Sequence, residues 1–103
     1  MTHTIRVMWK NTTSGWKNFN WGVINKDSVI HISASEGASD QGSLFGILRT
    51  RGDARISVEN VRPHDGGVEF WLSIQLGFDR PPPLTIVLDI TVVDPAEQGF
   101  IVG

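Results

Sequence analysis

Three histidines, eleven aspartate and glutamate residues and a serine-rich segment are what this 103-residue chain offers for chemistry, and their spacing argues against a catalytic centre. His3, His31 and His64 are not placed as ligands on one strand or helix. With no cysteine present, a zinc ion would have to be held by histidine and carboxylate alone. Gly37-Ala38-Ser39-Asp40-Gln41 lacks the second glycine of the Gly-x-Ser-x-Gly nucleophile elbow, and no helix is expected after it. Oxygen ligands for calcium are plentiful in polar segments, yet no Asp-x-Asp or EF-hand spacing occurs. The chain therefore reads as non-enzymatic, with no cofactor.

Binding chemistry is better represented. Three of the four tryptophans, Trp9, Trp16 and Trp21, fall in the first fifth of the chain, interleaved with Lys17, Asn18 and Asn20. Such a pattern suits a stacking platform for carbohydrate or for single-stranded nucleic acid. A formal charge of −2, with nine Lys and Arg against eleven acids, argues against a nucleic-acid partner, which needs several phosphate contacts. Trp9, Phe19 and Trp21 lie in phase with aliphatic neighbours and read as core, but Trp16 does not. Trp71 stands between Glu69 and Ser73, out of phase with the apolar positions around it, and so belongs to a second sheet face, a subunit contact or a ligand.

Alternation with a period of two organises the elements that must carry these residues. Ile5, Val7 and Trp9 define a first strand. Phe19, Trp21 and Val23 define a second, and the turn-rich Asn11 to Gly15 between them predicts a hairpin. Val29 to Ser33 is a third strand, with Ile30 and Ile32 facing inward, and polar Ser35 to Ser43 reads as a loop. Leu44 to Thr50 is better a strand than a helix, because Gly42 and Gly46 would each cost a helix about 1 kcal/mol. Ala54, Ile56 and Val58 form the fifth strand, and Arg62 to Gly67 has the composition of a turn. Val68, Phe70, Leu72, Ile74 and Leu76 mark one face of the sixth, and Leu84, Ile86, Leu88, Ile90 and Val92 one face of the seventh. Phe100-Ile101-Val102 supplies a short closing piece.

These elements predict an all-β fold with residues 1–103 as a single domain: an antiparallel β-sandwich, Ig-like or jelly-roll-like, of seven or eight short strands, with a small β-barrel as the alternative. If every strand crosses the domain, alternate loops gather at one end. Asn11 to Gly15, Ser35 to Ser43, Arg62 to Gly67 and Asp94 to Gly99 would then form an acidic pole opposite a mixed, slightly basic one. The expected site is a lectin-like, carbohydrate-binding surface at that acidic pole, made by Asn11, Trp16, Glu36, Asp40, His64 and Asp65. An aromatic face would stack on a pyranose while amides and carboxylates bond its hydroxyls.

Open sheet edges in a cysteine-free domain of this size also predict a homo-oligomer, with Trp71, Val87 and Val93 at the interface. The runner-up function is accordingly a structural or protein-interaction subunit. The N-terminal residues lack the basic and apolar regions of a signal peptide, so a cytoplasmic protein is expected. The longest apolar run, Leu84 to Val93, is too short for a membrane helix. Arg51-Gly52-Asp53 spells an integrin tripeptide, but without a secretory route it reads as coincidence. Pro81 to Pro83 reads as a device that blocks edge pairing before the last strand.

Overall fold

The computed structural model describes residues 2–39, 42, 46–50, 52–77, 81–96 and 98–103. Among them are seven strands: β1 (His3–Thr12), β2 (Gly15–Asn20), β3 (Val29–Ser39), β4 (Ile47–Thr50), β5 (Arg55–His64), β6 (Gly67–Gln75) and β7 (Leu84–Val93). They form two antiparallel sheets, ordered β1-β7-β3-β4 and β2-β6-β5. The expected antiparallel all-β architecture is what the chain adopts.

The two central strands make the core. Val68, Phe70, Leu72 and Ile74 of β6 face Ile86, Leu88, Ile90 and Val92 of β7, and all eight are buried. Each CH₂ removed from water there contributes about 0.8 kcal/mol, so these two faces dominate the stabilisation. Trp9 lies parallel to Phe70 with ring centroids 6.0 Å apart, and Phe19 and Trp21 pack at the core's margin. The three aromatic residues read as core thus have that role.

Two local expectations fail. The first two strands are not a hairpin: β1 pairs with β7 and β2 with β6, so the chain changes sheets at Thr13-Ser14. Ser14 fastens this corner, its hydroxyl accepting from the Ile74 amide at 2.8 Å and lying 3.3 Å from the Ile74 carbonyl. The second strand also starts and stops earlier than its apolar residues imply. Trp21 leaves β2 by donating its amide to Gly66 O, and a turn follows in which Ile24 N donates to Trp21 O. That turn buries Ile24 and leaves Val23 exposed, the reverse of the alternation.

Ser35–Ser39, read as loop, belongs to β3. Its partners explain why: Glu36 pairs with both Ile86 and Thr50, and Ser39 pairs with Ile47. Gly37 is required here, since a Cβ at this position would stand 1.9 Å from Cγ2 of Val87. Arg62–His64, read as turn, likewise belongs to β5, and the turn narrows to Asp65-Gly66 with Gly66 at φ 88°. Phe100, Ile101 and Val102 join no strand and are 84–96% exposed.

The most consequential departure is the length of β4. Four residues span about 13 Å, too little to cross the sandwich. The chain therefore enters β5 at the same end at which β3 finished, and the described turns after it lie at the end opposite to that expected. Asn11 to Gly15 and the end of β3 sit at one end. Asp65-Gly66 and the residues after Val93 sit at the other, beside Asn25 to Ser28. The predicted acidic pole does not form. No helix among the described residues is long and apolar enough to cross a membrane.

Candidate functional site

Of the six residues expected to converge, the five described ones are distributed over the molecule. Asn11 and Trp16 line one pocket at the β1–β2 corner. His64 shares the outer face of the three-stranded sheet with Trp16, while Asp65 lies in the turn beyond it and accepts a hydrogen bond from Lys26 N at 2.9 Å. Glu36 is on the other sheet in register with Ile86, an inward position, and its Oε2 is buried against the backbone of Gly52. Asp40 lies outside the described residues. Two causes separate them: the short β4 puts His64 and Asp65 at the other end, and Glu36 is turned inward as a residue of β3.

A different constellation surrounds Trp16. Successive outward residues of β2, β6 and β5 form rows across the sheet: Trp16-Trp71-Glu59, Asn18-Glu69-Arg62 and Asn20-Gly67-His64. Trp16 is 61% exposed and meets Trp71 edge to face, with centroids 5.7 Å apart. Below this pair, Arg62 and Glu69 are ion-paired on the surface. Asn18 Nδ2 donates to Asn20 Oδ1 at 2.8 Å, leaving its Oδ1 to accept from Nε2 of His64 at 2.7 Å. The imidazole reaches β2 by lying over Gly67, where a Cβ would stand 2.8 Å from the ring.

Both edges next to Trp16 are bulged. The β1–β7 register shifts between Trp9 and Thr12, and the β5–β6 register between Glu59 and Arg62. Each bulge contains an asparagine in the left-handed region, Asn11 and Asn60, both at φ 52°. These are the two non-glycine residues with positive φ among those described, and asparagine tolerates that conformation best. Two shallow pockets result, each walled by Trp16. One, of about 480 Å³, includes Lys10, Asn11, Lys17 and Asn18, and the other, of about 520 Å³, includes Asn60, Val61, Arg62 and Glu69.

Of these residues, the sequence reading singled out Asn11, Trp16, Trp71 and His64 but passed over Asn60, Arg62 and Glu69. A signal existed. The inward positions of β5 run Ile56, Val58 and then Pro63, an odd step that betrays an inserted residue.

The outer face of the four-stranded sheet carries the other polar cluster. Arg6 grips Asp89 through two bonds, of 2.7 and 2.9 Å, and Arg49 reaches the same carboxylate at 3.1 Å while bonding Ser33 and Ser35. The hydrogen bonds from Arg6 hold the Asp89 carboxyl below the usual aspartate range, with Arg49 adding to the effect against partial burial. Satisfied on both sides and held ionised, Asp89 is a structural anion rather than a proton donor. Val87, expected at a subunit interface, is fully buried within the chain beside Gly37. Val93 pairs with Val29 at the sheet's end, and Trp71 is half-buried beneath Trp16.

Among the described residues, no group of three or more His, Asp or Glu could hold a metal ion.

No family model matches the chain, and no curated protein or solved structure is significantly similar to it.

The site's chemistry must therefore be read from its own residues. An exposed indole flanked by amides and by side chains of both charges can stack on an apolar face and bond hydroxyls around its rim.

Proposed function

We propose that this protein is a non-enzymatic, carbohydrate-binding module whose site is the outer face of the β2-β6-β5 sheet around Trp16, rather than the loops of one pole. The observation that carries this reading is the position of Trp16, held upright on Trp71 between two bulges whose left-handed asparagines line its two pockets. Bulges re-aim side chains beside binding sites, and backbone conformations that cost energy persist where the surrounding structure uses them. The indole face would take the C–H face of a pyranose, with Asn11, Asn18, Asn60, Arg62 and Glu69 as hydroxyl partners. Titration of a glycan panel followed by tryptophan emission tests it. Quenching or a blue shift that is lost in Trp16→Ala supports the reading, and unchanged emission and melting temperature across the panel overturn it.

A second reading, an oligomeric assembly subunit, is favoured by one other observation. Phe100, Ile101 and Val102 form a consecutive apolar run that is almost fully exposed. Light scattering after size exclusion distinguishes it, since a single-chain mass at high micromolar concentration removes the basis for a homo-oligomer.

A further inference from the structure

Charge around Trp16 is unevenly divided, and that division bears on the ligand. The Arg62-Glu69 ion pair makes the pocket on the β5 side internally neutral. The pocket on the β1 side has two lysines, Lys10 and Lys17, and no carboxylate in its wall. Neither lysine forms an ion pair among the described residues. Lys17 is in register with Phe70, an inward position on an edge strand, and is among the residues that line this pocket. The other polar residues there, Asn11, Thr12, Thr13 and Asn18, are uncharged. In a chain whose net charge is −2, a pocket wall with two lysines, no carboxylate and an exposed tryptophan is a local reversal of sign.

We infer that the carbohydrate bound at Trp16 is anionic, an oligosaccharide whose carboxylate or sulfate group sits between Lys10 and Lys17 while a neighbouring ring stacks on the indole. This rests on the carbohydrate reading and adds to it the chemical class of the ligand. An ammonium is a compact point charge that suits either anion, so the lysines do not choose between uronate and sulfate esters. Trp16 lines both pockets, one shared with residues of β1 and the other with residues of β5. A linear chain would thus pass over Trp16, with its charged end towards β1 and neutral hydroxyls towards Asn60, Arg62 and Glu69.

The test uses the intact protein and calorimetry with three oligosaccharides of equal length: a neutral one, its uronate counterpart and its sulfated counterpart. Single-stranded oligonucleotide serves as a competitor. The expected result is that at least one anionic ligand binds about tenfold or more tightly than the neutral one, with a preference that weakens as salt is raised. Lys10→Gln with Lys17→Gln should abolish that preference, and the ratio of the two anionic arms identifies carboxylate or sulfate. Equal affinities unaffected by the lysine changes would overturn the inference yet leave the Trp16 site standing. Binding of none of the three would overturn both, and an oligonucleotide that displaces every sugar through Trp16 would overturn the inference in favour of nucleic acid. Because Lys10 is exposed, Lys10→Gln alone should retain the parent melting curve, and it provides the same comparison if the double variant fails to fold.

Discussion

The indole of Trp16 stands edge-on to that of Trp71 at an interplanar angle of 84°, the two residues being directly paired across β2 and β6. Trp71 is half-buried and fixed in the central strand, whereas Trp16 lies on the edge strand and is exposed. The inner tryptophan therefore supports the outer one. Trp16→Ala should cost about 0.5–1.5 kcal/mol, the value of such a pair beyond its buried area, while removing sugar binding. Trp71→Ala should cost about 2–3 kcal/mol, because it also gives up buried surface. Urea denaturation of both variants checks the order.

The left-handed asparagines give a second expectation. A β-branched residue at Asn60 cannot hold φ 52° without steric conflict, so Asn60→Val should destabilise by roughly 1–2 kcal/mol. Asn60→Gly keeps the backbone and loses only the amide, so its stability should stay within about 0.5 kcal/mol of the parent. If Asn60 touches ligand, the glycine variant will fold normally and bind more weakly. Thermal melts paired with glycan titration separate the two effects, and the same pair of substitutions applies at Asn11.

Gly67 offers a test of how the polar rows are built. A Cβ here would stand 2.7 Å from the Phe19 carbonyl and 2.8 Å from the His64 ring, and the carbonyl belongs to a paired backbone that cannot withdraw. Gly67→Ala should cost about 1–3 kcal/mol through overpacking and push His64 away from Asn18. Long-range nitrogen correlation spectra of the imidazole will show loss of the hydrogen-bonded Nε2–H.

Acid sensitivity should trace to Asp89. Its pKa is lower in the folded protein than in the unfolded chain, because protonation breaks its bonds to Arg6 and Arg49. The stabilisation is therefore fully present above the ordinary aspartate value of about 3.9 and is lost as the pH falls through the lower folded value. Asp89→Asn should reduce the urea midpoint at pH 7 and flatten its decline below about pH 4. A variant whose acid profile parallels the parent's would assign that decline to other carboxylates.

The central strands were the most legible part of the chain. Leu84–Val93 is bounded as its alternation predicts, and the buried faces of β6 and β7 are those read from the sequence. Edges were harder. Trp21 and Val23 continue the alternation of Phe19, yet the chain turns there because Trp21 N and Ile24 O find partners in Gly66. Val87 alternates outward but is buried, since β3 and β4 bring Gly37 over it. Asn11 and Trp16 line one pocket, as their closeness in sequence across one corner dictates. Glu36 is an inward residue of β3, and the short β4 put Asp65 at the opposite end.

What the amino-acid sequence determined by itself was the strand class and the inward face of each long strand. These follow from side chains alternating along an extended backbone, a local property that needs no partner. Tertiary structure alone decided which strands pair, at which end each loop emerges and that Trp16 stands on Trp71 between two bulges. Those outcomes depend on which edges close around a shared core and on one strand too short to cross it. Residue order does not encode such distances, and so the loops expected at one pole emerge at two ends.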